Sequence, residues 1–218
     1  MVVEYGLDEF MRELDLAVGD FFEPRDVNGH KDLPGYDPRM GPRYGIPGHD
    51  VPLSVFRGEG MALFLVARAI KPEVIMECYT GTGYAACCLA AGWWPEAQVI
   101  STDNYTEGGL GEAGWARAQG LRDKLGLDNL ALHYGTIESL RQANLLADLY
   151  FSDGPYDDGA SLLAEGAIRI RHDDGVGQVD GRRFVVPGGS NLSVTCPTIE
   201  MRDWLMAEIG KTIPVNAA

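Results

Sequence analysis

Residues Val74 to Asp103 constrain what this chain can fold into more than any other stretch. The run Val74-Ile75-Met76 is apolar and short enough for a buried strand. It ends at an acid, Glu77, and a turn that carries Gly81 and Gly83. A small-residue helix is expected next, from Tyr84 to Ala91. A second apolar run, Val99-Ile100, leads to Asp103. Strand, glycine turn, helix, strand and terminal acid make half of a nucleotide-binding α/β unit. The glycines let a ligand approach the backbone, and the helix start offers free N–H groups. The acid can accept hydrogen bonds from the two hydroxyls of a ribose. A nucleoside-containing ligand is therefore the leading expectation.

The rest of the chain extends this alternation. Strands are expected over 73–78, 98–102, 130–134 and 147–152, and helices over 84–92, 111–126, 136–145 and 158–170. Two later strands are expected over 183–187 and 192–196, and a helix over 197–209. Short strands alternating with helices predict a Rossmann-like, doubly wound, mostly parallel α/β sheet. Upstream, residues 1–20 and 53–70 read as amphipathic helices. Residues 23–52 hold six prolines, from Pro24 to Pro52, and read as an ordered arm without regular elements. Its aromatics Tyr36 and Tyr44 and its histidines His30 and His49 suggest that it packs on something. The expected division is an N-terminal helix and Pro/Gly-rich cap over 1–55, and an α/β domain over 56–218.

Composition excludes several functions. The net charge is −14, and no basic cluster is longer than Arg182-Arg183. Nucleic-acid binding needs a basic face, so it is not expected. No apolar run approaches the ~20 residues of a membrane span. The acidic N-terminus lacks the basic start of a signal peptide. The four cysteines, Cys78, Cys87, Cys88 and Cys196, form no C-x-x-C pair and suit buried thiols in a reducing cytoplasm.

Four segments carry a more specific likeness: E-C-Y-T-G-T-G-Y, V-I-S-T-D-N, L-H-Y-G-T-I-E-S-L and A-D-L-Y-F-S-D-G-P-Y, in that order over residues 58–160. They resemble class I S-adenosylmethionine-dependent methyltransferases, and within them the small-molecule O-methyltransferases. The resemblance implies that Gly81 and Gly83 approach the methionine part of S-adenosylmethionine. It implies that Glu77 orients the loop or the cofactor's amino group. Asp103, with Asn104 beside it, would bind the ribose. Thr136 and Ile137 would neighbour the adenine. Asp153 would sit where cofactor and small-molecule acceptor meet. Tyr79 replaces the first glycine of the family pattern, and its ring is expected at the pocket wall.

Candidates for a catalytic base are Asp153, His172 and, from the arm, His30 or His49. Some relatives hold a divalent metal through a second acidic pair about 28 residues past the first acid. No such pair stands there, and His172-Asp173-Asp174 could serve only if the connecting helix were shortened. A metal-independent site is favoured. Two other readings stand beside methyl transfer. G-T-G-Y-A-A also fits the turn of an NAD(P)-dependent oxidoreductase, although no second catalytic domain or Tyr-x-x-x-Lys pair follows. A non-catalytic member of the fold is the third. A homo-oligomer is compatible with all three.

Overall fold

The computed structural model describes residues 6–25, 43–45, 47, 54–104, 111–142, 144–153, 159–172, 181–186, 192–213 and 216–217. Five parallel strands form the centre: β3 (Val74–Cys78), β4 (Gln98–Asp103), β5 (Leu130–Tyr134), β6 (Ala147–Ser152) and β7 (Leu163–Arg171). They continue into β8 (Arg183–Val186), β9 (Leu192–Thr195) and the short β10 (Asn216–Ala217). The eight-stranded order is β10-β8-β9-β7-β6-β3-β4-β5. β9 runs antiparallel to both β7 and β8, so the sheet is mixed but mostly parallel. The chain leaves β3 towards β4 and β5, then returns to β6 on the other side. The order therefore reverses between β3 and β6, and ligands bind at the carboxyl edge beside such a reversal.

The main core lies on one sheet face, under α1 (Leu7–Val18), α2 (Arg57–Ile70), α3 (Tyr84–Gly92), α4 (Gly111–Leu125) and α6 (Ile199–Gly210). Every residue of α3 is buried. This is possible because most of its side chains are small, so α2 and the sheet can both approach it. Gly92 shows how closely: a Cβ there would lie 2.5 Å from the Phe64 carbonyl oxygen of α2. α1 buries Phe10, Met11, Leu14 and Val18 completely in the same core. The Phe10 ring stacks on Phe64 at 5.4 Å. A smaller cluster, including Met76, Ile100, Leu140 and Tyr150, occupies the other face beside α5 (Ile137–Gln142).

Two sequence expectations need correction. The helix expected over 158–170 is a 3₁₀ turn, Gly159–Leu162, followed directly by β7. Ile168 and Ile170 are buried in the main core and alternate with Arg169 and Arg171. That period of two belongs to a strand, and pairing with β6 on one side and β9 on the other fixes it. The arm is not devoid of regular structure either. Glu23–Arg25 (β1) pairs antiparallel with Arg43–Gly45 (β2), with Pro24 itself opposite Tyr44. Tyr44 of β2 stacks on Tyr84 at 5.4 Å, and both hydroxyls donate to Asp15 of α1. Arg57 completes that cluster with its Nε 2.7 Å from Asp15 Oδ2. Tyr36, His30 and His49 lie outside the described residues. Among the described residues, no helix is long and apolar enough to cross a membrane. All four cysteines are buried and unbridged.

Candidate functional site

The turn after β3 is built on three alternate left-handed residues: Tyr79 (φ 71°), Gly81 (φ 54°) and Gly83 (φ 79°). Glycine reaches this region without strain, whereas tyrosine does not. Tyr79 nevertheless holds this conformation, with its N–H donating to Thr102 O at 2.9 Å. The Gly81 N–H donates to Asp103 Oδ2 at 2.9 Å, tying the end of β4 to the turn. Gly83 opens α3, and a Cβ there would press on Ala118 of α4 at 3.2 Å. Glycine is thus required at 83 for space as well as conformation.

Five of the residues singled out in the sequence line one cleft: Tyr79, Asp103, Asn104, Thr136 and Ile137. Cys78, Thr102 and Gly135 complete the lining. The cleft volume is about 130 Å³. Pockets that enclose a whole drug-sized ligand run to roughly 300–1,000 Å³, so this cleft suits one part of such a ligand. Burial pushes the Cys78 thiol up to about 11, so it stays protonated near neutral pH and is no nucleophile. Asp153 ends β6 next door, and its N–H donates to Cys78 O at 3.2 Å.

Glu77 lies beneath the turn, fully buried. Its Oε2 accepts from Ser101 Oγ at 2.5 Å, and Ser101 Oγ is 2.5 Å from Thr80 Oγ1. Glu77 Oε1 has no hydrogen-bond partner among the described residues. Burial holds this carboxyl well above the ordinary carboxylate range. The Ser101 hydrogen bond opposes the rise, while the nearby charges of Asp153 and Asp103 add to it. Three acids from three neighbouring strands therefore feel one another around a turn. A ligand carrying positive charge would relieve all three.

His172 directly follows β7. Its N–H donates to Ser152 O at 2.9 Å, so it extends the β6–β7 pairing to the level of Asp153. The side chain is wholly buried between two acids. Nδ1 is 2.5 Å from Asp153 Oδ1, and Nε2 is 3.1 Å from Glu59 Oε2. Of the three side chains only Asp153 reaches the surface, at 17% exposure. His172 therefore does not itself face a ligand. Among the described residues the β6–β7 connection holds only the 3₁₀ turn Gly159–Leu162 and no α-helix. Asp173 and Asp174 lie outside the described residues. Among the described residues, no three acid, His or Cys side chains converge on a metal position.

Glu59, Ser101 and Thr80 escaped the sequence reading. Glu59 had a faint signal: it stands three residues after Phe56, the capping-box spacing, but without the usual Ser or Thr. Ser101 and Thr80 carried none, since their roles exist only once β3 and β4 pair in register.

Neither a protein-family model nor a curated protein matches the sequence. Solved structures do match the fold. The O-methyltransferase TomG of Streptomyces achromogenes, involved in tomaymycin synthesis and solved with S-adenosylmethionine, is 15% identical. The match covers 90% of this chain and 91% of that one, with a TM-score of 0.56. An O-methyltransferase of Bacillus cereus in complex with S-adenosylhomocysteine is 16% identical over 84% and 90% of the two chains, at a TM-score of 0.53. A methyltransferase of Geobacter sulfurreducens is 21% identical over 66% and 80%, also at 0.53. The shared architecture is the mostly parallel α/β sheet of class I methyltransferases; here β9, beside the parallel run, and the terminal β10 both run against it.

Proposed function

We propose that this chain is an S-adenosylmethionine-dependent methyltransferase acting on a small molecule, at an oxygen atom. The observation that carries this reading is the buried, unpartnered Oε1 of Glu77, with Asp103 and Asp153 close by. Such an oxygen in a low-dielectric site calls for a cationic donor. S-adenosylmethionine offers an ammonium and a sulfonium beside a ribose and a purine, so the residues fit it. A dinucleotide would instead bring its pyrophosphate, two negative charges, to the start of α3, next to these acids. Glu77 and Asp153 thus argue against the oxidoreductase reading, whereas Asp103 suits the ribose of either cofactor. Tyr79 argues little for a non-catalytic chain, because the turn keeps its left-handed path.

In this reading Asp103 accepts from the ribose hydroxyls while its Oδ2 stays tied to Gly81. Thr136 and Ile137 flank the base, and Tyr79 walls the cleft. The bound cofactor supplies a methyl group already activated for displacement. The chain's own task is then alignment and exclusion of water. Asp153 accepts a hydrogen bond from the acceptor hydroxyl and takes the proton that this oxygen loses. His172 holds Asp153 from below. The N-terminal helix with the β1–β2 pair, which Tyr44 anchors to Tyr84 and Asp15, is the cap proposed for the acceptor side, and a cytoplasmic setting is proposed for the chain.

Calorimetry with S-adenosylmethionine and S-adenosylhomocysteine at millimolar concentration tests the reading. Saturable heat with both, and none with NAD or NADP, is expected. A folded protein that gives no heat with either adenosyl compound sinks it. A divalent cation beside Asp153 is a second reading, motivated by the acids Asp173 and Asp174 that follow His172 in the sequence. Activity that survives EDTA supports direct action by Asp153. Activity lost in EDTA and restored by magnesium supports the cation.

A further inference from the structure

We propose that the methyl acceptor is an organic anion, and that Arg171, backed by Arg169 and Arg183, binds its carboxylate or phosphate group beside Asp153. The acceptor's place here rests on the methyltransferase reading; the basic face itself follows from the sheet. The strand registers set one row of residues along the carboxyl edge. Thr102 lies opposite Cys78, Cys78 opposite Ser152, and Ser152 opposite Arg171. Directly opposed residues project from the same face of a sheet. Thr102 and Cys78 line the cleft. Arg171 is the last residue of β7 and stands two strands from Cys78, roughly 10 Å at the usual strand spacing. The row behind it repeats the pattern. Arg169 lies opposite Thr195, and Thr195 opposite Arg183. Three arginines thus share the sheet face that carries the cleft-lining Cys78, while Ile168, Ile170 and Phe184 fill the main core on the other face.

Like charges on one sheet face repel, and they cost stability unless anions answer them. All three arginines also interact within the chain. A guanidinium has five N–H donors, so an arginine engaged by the chain keeps donors for a ligand. Arg183 is buried, whereas Arg169 and Arg171 are half-buried. Arg171, at the strand end, stands nearest the edge where ligands bind. The charge around the cleft makes such a cation necessary. The chain carries a net −14, and Glu77, Asp103 and Asp153 gather at the turn. A neutral acceptor needs no cationic face. An anionic one would be repelled by these acids unless a cation met it on the far side of Asp153. Arg171 stands there, one strand beyond Ser152, the residue before Asp153. Its planar fork matches a carboxylate or phosphate through two parallel hydrogen bonds. One end of the acceptor is then fixed, and its hydroxyl is left at Asp153. In the transfer the hydroxyl oxygen forms the bond to the methyl carbon, and the sulfur–methyl bond breaks with its electron pair left on sulfur. The hydroxyl proton passes to Asp153. The anionic group at Arg171 takes no part in these bond changes.

The test uses the full chain saturated with S-adenosylhomocysteine, and calorimetry with three matched probes: 4-hydroxybenzoate, 4-hydroxyphenyl phosphate and the neutral 4-hydroxybenzamide. At least one of the two anions should bind. The amide should bind at least about tenfold more weakly than that anion, the loss expected where a charge-assisted pair is missing. Binding of one anion alone supports the arginine face equally and names the group it prefers. Arg171→Gln should weaken the bound anion by about tenfold or more, while S-adenosylhomocysteine affinity stays within about twofold. Three results overturn the proposal: an amide that binds as tightly as the anions, a saturated chain that binds neither anion, or an anion indifferent to Arg171→Gln. Should that variant fail to fold, Arg171→Lys keeps the charge but loses the fork. Unchanged anion affinity in Arg171→Lys then overturns the proposal as well. Wild type that binds no S-adenosylhomocysteine would sink the methyltransferase reading instead, and the same titrations on the ligand-free chain would judge the arginine face alone.

Discussion

Tyr79 makes the conformation of the turn measurable, since it holds φ 71° where glycine would do so freely. A non-glycine residue held in a sparsely populated region costs of order 1–3 kcal/mol. Tyr79→Ala keeps that strain and loses the half-buried ring. Tyr79→Gly loses the ring but relieves the strain. Chemical denaturation should therefore rank Gly above Ala at this position by about 1 kcal/mol, the reverse of the usual order. Equal stabilities would mean that the turn relaxes away from φ 71° in solution. Glu77 gives a second handle. Its carboxyl is raised in the folded chain, so the folded state keeps a proton that the unfolded state has already lost. The associated stability is present below the ordinary carboxylate range and disappears as pH climbs through the raised value. Glu77→Gln is neutral throughout and lacks that loss. Its advantage over wild type in thermal midpoint should grow from about pH 5 to about pH 8, while affinity for S-adenosylmethionine falls. A difference independent of pH would show that Glu77 ionises normally.

At the scale of elements, the α2–α3 contact is the tightest test. Gly92→Ala would drive a methyl group against the Phe64 carbonyl, which is backbone and cannot swing aside. Overpacking of this kind costs roughly 1–3 kcal/mol, so a clear drop in denaturation midpoint is expected. An unaffected midpoint would mean that the two helices lie farther apart. These elements were mostly legible in the sequence. β5, β6 and α3 fall at the residues that periodicity indicates, because their apolar runs are bounded by Gly, Pro or charged punctuation. β7 was not. Leu162, Leu163, Ala164 and Ala167 are good helix formers, and a parallel crossover ordinarily contains a helix. Only pairing between two strands reveals the alternation of Ile168 and Ile170 with Arg169 and Arg171. Of the cleft wall, Tyr79, Asp103 and Asn104 stand where the apolar runs of β3 and β4 end, whereas Thr136 and Ile137 follow only from the family resemblance of the L-H-Y-G-T-I-E-S-L segment. Glu59 was not legible, because its partners lie far along the chain and meet it only in three dimensions.

For the whole molecule, α1 is part of the principal core. Phe10, Met11, Leu14 and Val18 are each fully buried, and each such side chain contributes about 1.5–3 kcal/mol. Their combined loss rivals the ~5–15 kcal/mol that keeps a typical domain folded. A chain lacking residues 1–20 should therefore show no cooperative thermal transition in calorimetry. Retention of one near the wild-type temperature would show that the α/β unit stands without α1. The short link between β6 and β7 reaches further, into how the chain finds its fold. Neighbouring strands β3 and β4 are joined through residues 79–97, and β4 and β5 through 104–129, whereas β6 and β7 are joined through 153–162 alone. Closing a shorter loop loses less chain entropy, about 0.6 kcal/mol for each halving of length. Contacts close in sequence also form sooner. Among the parallel pairs β6–β7 is thus the natural seed, the antiparallel β8–β9 pair being joined by the still shorter stretch 187–191. In stopped-flow refolding, Leu149→Ala and Ile168→Val should slow the folding rate, whereas Leu132→Ala on β5 should mainly hasten unfolding. The opposite pattern would place the seed at the far edge of the sheet. If the seed is β6–β7, the strand ends that carry Asp153 and His172 come together before the glycine turn has closed.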